Sequence, residues 1–144
     1  MTLRTEATNQ RYQKFLQNKP ADYCFLCKAE PIKEFTYWKI VENEYPYDKV
    51  LSAHHMVTLK RHVNEEGMTA AEIAEFTIIK KLMHMEHDMI FENAHKKKSI
   101  PDHHHLHMGN LKNSDEQERI CYRHTSYVPI VPRIWMAMLN KTPS

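Results

Sequence analysis

The stretch Ser99-Ile100-Pro101-Asp102-His103-His104-His105-Leu106-His107-Met108 decides how the rest of this chain is read. On an extended strand successive side chains alternate between faces, so His103, His105 and His107 share one face while His104 and Leu106 take the other. Three imidazoles on one surface suit phosphate chemistry, because imidazole titrates near neutrality. One ring can attack phosphorus while a neighbour, still protonated, stabilises an anion or protonates a leaving group. The same run can also be read as a metal-binding tract or as a solvated His-rich loop, whereas its internal position and the interrupting Leu106 speak against a tag.

Working outward, the basic loop AHKKKSIPD (94–102) leads into the run. Its lysines Lys96, Lys97 and Lys98 read either as a solvated face or as a clamp for a substrate phosphate. Before it, MIFEN (89–93) reads as a strand, and a helix is predicted over 69–86. There Thr69 and Glu72 have capping-box spacing, and Ile73, Phe76, Ile79, Leu82 and Met83 form an apolar stripe. Met83, Met85 and Met89 are expected to pack in the core. VLSAHHMVTL (50–59) and FTYWKIV (35–41) favour strands, joined by the turn NEYPYDK (43–49), and a short helix is predicted over 5–18 from Tyr12, Phe15 and Leu16. One long helix leaves too few crossovers for a parallel sheet, so the class is α+β with mixed antiparallel strands.

The 144 residues suit a single domain, 1–144, able to bury roughly two-thirds of its unfolded surface. Hydrophobic residues at 42% and charged residues at 26% are ordinary for a globular protein, and no apolar run approaches the ~20 residues of a membrane span. The first residues lack the apolar core of a secretory signal, so a cytoplasmic location is expected. A net charge of +2 argues against a large polyanion as partner and leaves room for a small anionic substrate.

Eleven histidines and only two glycines stand out. Of three cysteines, Cys121 is expected in the core, while Cys24 and Cys27 have the C-x-x-C spacing of metal or redox sites, a spacing that buried pairs also show. A thioredoxin-like role lacks its βαβ context. Two thiolates would leave two places for imidazoles in a tetrahedral zinc site. His62, His84, His87, His95 and His124 have no partner at a telling spacing and are expected in surface or core roles.

SIPDHHHLHM, with CFLC (24–27), NEYPYDK and AHHMVTLKRH (53–62) in the same order upstream, resembles the histidine triad (HIT) family over about residues 20–110, leaving 111–144 as a C-terminal extension. The eight-residue interval from His54 to His62 favours His54 over His55 as the matching histidine. Lys96 to Lys98 stand where the family has glycines, and His104 stands where it has a hydrophobic residue.

The resemblance implies a five-stranded antiparallel sheet with one long helix and a short N-terminal helix, pairing into a ten-stranded sheet in a homodimer. It implies a nucleotidyl hydrolase or transferase working through a nucleotidyl-histidine intermediate on dinucleoside polyphosphates, nucleoside phosphoramidates or adenylylated compounds. His105 would be the nucleophile, His103 would orient it, and His107 would contact the phosphate. Ser99 would lie near the leaving group, Asn43 at the ribose and Asn93 near the nucleophile or phosphate. A structural zinc would be held by Cys24, Cys27, His54 and His103. The other reading is a zinc-containing nucleotide-binding protein with little or no turnover.

Overall fold

Strands β3 (Leu51–Leu59) and β5 (His105–Leu111) form the spine of the molecule, antiparallel, with Thr58 opposite His105, Met56 opposite His107 and His54 opposite Gly109. The computed structural model describes residues 2–113 and 115–116. Around the spine lie β1 (Pro31–Glu34) and β2 (Trp38–Glu42) on one side and β4 (Met89–Phe91) on the other, giving one antiparallel sheet ordered β1-β2-β3-β5-β4. Helices α1 (Glu6–Asn18), the one-turn α2 (Phe25–Lys28) and α3 (Ala70–Glu86) complete the α+β architecture. Short 3-10 turns occupy Glu65–Gly67 and His95–Lys97. Among the described residues no helix is long and apolar enough to cross a membrane.

Alternation along the strands separates two faces. Trp38, Ile40, Val57, Leu59 and Met108 turn toward Ile79 and Met83 of α3 and form the main core. Val41 and Met56 turn the other way and pack with Cys24 and Leu26, and this second face carries His54, His105 and His107.

Helix α3 begins with the expected capping box: Thr69 Oγ1 accepts from Glu72 N, and the Glu72 carboxylate accepts from Thr69 N. That carboxylate also holds Arg61 through two 3.0 Å bonds, and the Arg61 guanidinium lowers its pKa to about 2. The stripe is narrower than expected. Ile73 is 50% and Met85 82% exposed, and Met89 lies at the edge strand, because the helix meets the sheet along Phe76, Ile79 and Met83.

The strand expected over 35–41 starts three residues later. Thr36 N and Tyr37 N donate to the Glu75 carboxylate at 2.8 and 2.6 Å, turning 35–37 toward α3 before the ladder begins. The segment read as a Cys-bearing loop supplies α2 and β1 as well.

Helix α1 is tied down by the 43–50 turn. Asp48 accepts from Thr5 N at 2.8 Å, Thr5 Oγ1 at 2.9 Å and Thr8 Oγ1 at 2.6 Å, and these bonds lower its pKa against the effect of burial. The expected core placement of Cys121 and the surface or core role of His124 lie outside the described residues.

Candidate active site

His105 sits at the start of β5, 4% exposed, with Nδ1 2.8 Å from the carbonyl of His103. A carbonyl only accepts, so Nδ1 carries the proton and Nε2 keeps its lone pair. Burial holds the ring's pKa below the usual histidine value. The ring lines a cavity of about 490 Å³.

His107, two residues on, lines the same cavity. Its protonation is set by a relay that starts in the backbone. Tyr47 N–H donates to His54 Nδ1 at 3.0 Å, so neutral His54 carries its proton on Nε2 and donates it to His107 Nδ1 at 2.9 Å. His107 is left with Nε2–H. Burial, reinforced by Arg4, lowers His54 to about 4. Burial, reinforced by His105 and His54, lowers His107 to about 3, so both rings are neutral at pH 7.

The cavity lining mixes two chemistries. Tyr12, Phe15, Tyr23, Phe25, Tyr45 and Met56 supply aromatic and apolar surface, while Asn43, Asn93, Ser99, Lys97 and Arg4 supply polar and cationic groups beside the two histidines. Arg4 lies over the Tyr12 ring, 4.1 Å from its centroid. Asn43 Oδ1 accepts from Tyr45 N at 2.9 Å, and Asn93 Nδ2 donates to Tyr47 Oη at 2.8 Å, 3.5 Å from His107 Nε2. The aromatic part of the lining suits an aromatic ring, and the polar part an anion. Of the lysine run, Lys97 lines the cavity while Lys98 pairs with Glu92.

His103 contributes its carbonyl to this site and its ring to another. Its Nε2 donates to Leu59 O at 2.8 Å, leaving the Nδ1 lone pair 3.3 Å from Cys24 Sγ and 3.5 Å from Cys27 Sγ. His62 Nδ1 lies 3.2 Å from Cys27 Sγ, while its Nε2 meets Asp102 Oδ2 at 2.9 Å. The four donors Cys24, Cys27, His62 and His103 come within 4.8 Å of one another. Two thiols and two imidazoles fit tetrahedral zinc, and each imidazole has its far nitrogen held by an oxygen, as metal-bound histidines do. As a free thiol Cys27 is pushed up to about 11 by partial desolvation and by Cys24, and a cation would reverse that.

This corrects the ligand set. His54 is the fifth residue before Leu59 on β3, about 16 Å of strand from the end where the cysteines gather, and both its ring nitrogens are engaged in the relay. His62, expected in a surface or core role, stands with the cysteines instead. The expected substrate residues Asn43, Asn93 and Ser99 all line the cavity. Sequence reasoning missed Arg4, Tyr12 and the other α1 residues, which have no motif. It also missed Asp102, whose place beside His103 was the available signal.

No family model matches the chain, and no curated protein does. Among solved structures, a HIT family hydrolase from Clostridium thermocellum is similar with a TM-score of 0.47 at 15% identity, over 71% of this chain and 100% of that one.

Proposed function

We propose that this chain is a histidine triad nucleotidyl hydrolase or transferase whose nucleophile is His105 Nε2. The observation that carries the reading is a ring with Nδ1–H held by the His103 carbonyl, lining a cavity whose other residues combine aromatic rings with cationic and hydrogen-bonding groups. The Nε2 lone pair bonds the nucleotide α-phosphorus, and the bond from phosphorus to the leaving group breaks with its electron pair departing on that group. Water then bonds phosphorus, the N–P pair returns to Nε2, and a water proton passes to solvent or to the departed group. His107 Nε2–H donates to the phosphoryl oxygens, and Asn93 and Ser99 flank the phosphate and leaving group. Asn43 meets the ribose, and the rings of α1 and Tyr45 take the base.

Zinc on Cys24, Cys27, His62 and His103 would supply structural rigidity, holding the 103 carbonyl against His105 Nδ1. A homodimer is part of the same reading, supported by the exposed Ile78 and Met85 on α3. A monomer mass by sedimentation at micromolar concentration overturns that assembly.

The function is tested on a panel of dinucleoside polyphosphates, nucleoside phosphoramidates and adenylylated compounds. Release of mononucleotide through an acid-labile adduct on the protein is expected. Nucleotide binding without release from any member overturns the reading in favour of a binding protein.

A further inference from the structure

His104 points away from the cavity, toward the α3 side of the sheet, with its ring 5.9 Å from that of Trp38. It is 6% exposed, and neither ring nitrogen has a hydrogen-bond partner among the described residues. Its ring nitrogens are not sealed from solvent, so a lone pair stays available to a ligand at the edge of the core. Two carboxylates meet it there. Glu65 comes from the 3-10 turn after β3, and Glu92 follows the last residue of β4, so that alternation turns it opposite to Phe91.

We propose that Glu65, Glu92 and His104 form a second cation site, distinct from the cysteine cluster and suited to a divalent first-row transition ion such as Mn²⁺. One donor atom from each of the three lies within 4.8 Å of the others. Ligands about an ion at about 2.1 Å stand roughly 3 to 4 Å apart, so the two exposed glutamate side chains close the site by small rotations. Two carboxylates with one imidazole suit Mn²⁺, Fe²⁺ or Zn²⁺ and leave positions for water, whereas the thiolate pair selects zinc. Lys98 holds Glu92 Oε1, and the second oxygen has no partner among the described residues, so that oxygen is free to ligate. The cation ties three separate segments together: the turn after β3, the end of β4 and the start of β5.

The experiment uses full-length protein with its cysteine site loaded with zinc, and follows Mn²⁺ binding through the electron paramagnetic resonance signal of the free ion. One Mn²⁺ per chain is expected, weakened at least about tenfold by Glu65→Gln and by His104→Gln, with Glu66→Gln as wild type. Glu65 is exposed, so its variant decides the matter even where His104→Gln unfolds. Wild-type protein that binds no Mn²⁺, or a Glu65→Gln titration that overlays wild type, overturns the proposal. Neither readout involves nucleotide turnover, so this site and the proposed activity fail independently.

Discussion

The two ends of the histidine run hold opposite nitrogens of the same side chain. At the cysteine end, His103 and His62 have Nε2 held, by the Leu59 carbonyl and the Asp102 carboxylate, and present Nδ1 to sulfur. At the cavity end, His105 and His107 have Nδ1 held, by the His103 carbonyl and by His54, and keep Nε2 for the cavity. Which nitrogen is tied decides whether a ring is a ligand or a reactant, and only two residues separate the two cases. His103 joins them, since its ring belongs to one end and its carbonyl to the other.

The largest break in this contrast is His105→Asn. It removes the free Nε2 lone pair that His105 holds over the cavity and leaves the cysteine end intact. Turnover on any substrate the native protein cleaves is expected to fall by roughly four orders of magnitude, with zinc content and nucleotide affinity kept. Single-turnover kinetics measure it. An unchanged rate would end the covalent mechanism.

Acid probes the same end as a stability. His54 and His107 have folded pKa values of about 4 and about 3, depressed below the ordinary 6.5 by burial, with Arg4, His55, His105 and Lys98 adding repulsion. Being bases, they are neutral when folded, so the unfolded chain binds more protons below pH 6.5. Their contribution is therefore complete above pH 6.5 and is lost as pH falls toward 4 and then 3, by up to about 1.4 kcal/mol per pH unit for each ring. Urea unfolding at pH 7, 6 and 5 is expected to show this fall, with a shallower slope for His54→Gln. Equal slopes for the two proteins would mean that the relay does not hold His54 neutral.

The two ends were not equally legible in the sequence. Period-2 alternation placed His105 and His107 on one face, and the capping box placed the start of α3, because both are local patterns. The metal set mixes segments far apart in sequence, and there the interval between His54 and His62 gave no means of choosing. Both lie near the right strand, and only register shows that the cysteines sit past its C-terminal end. The aromatic wall was illegible for a related reason. Tyr12 and Phe15 look like ordinary apolar positions of a short helix until the Asp48 bonds dock that helix over the cavity.

A paired substitution sharpens the assignment. His62→Gln is expected to lower zinc content well below one ion per chain while leaving the His54 relay in place. His54→Gln is expected to keep zinc and slow turnover by about a hundredfold through a misoriented His107. Metal analysis alongside kinetics separates the two, and zinc lost in His54→Gln but kept in His62→Gln would restore the ligand set first expected.

The smallest expected effect concerns Asp102, which touches neither sulfur nor cavity. Its Oδ2 lies 2.9 Å from His62 Nε2, and that hydrogen bond lowers the carboxyl's pKa below its ordinary value. A carboxylate behind a ligating imidazole fixes the tautomer and raises the basicity of the nitrogen facing the metal. Asp102→Asn keeps an oxygen able to accept from Nε2–H and removes the charge, so orientation survives and basicity falls. Because the Asp102 side chain is 70% exposed, solvent screens much of that charge. The expected weakening of zinc binding is therefore near the lower end of the usual range, about tenfold, read by competition with a chelator of known affinity. Turnover of the zinc-loaded variant is expected to match wild type, since His105 donates its Nδ1–H to the His103 carbonyl and not to this carboxylate. Zinc affinity unchanged in Asp102→Asn would mean that His62 is aimed by packing against the His103 ring, 4.8 Å away between centroids, and that the carboxylate only solvates its far nitrogen.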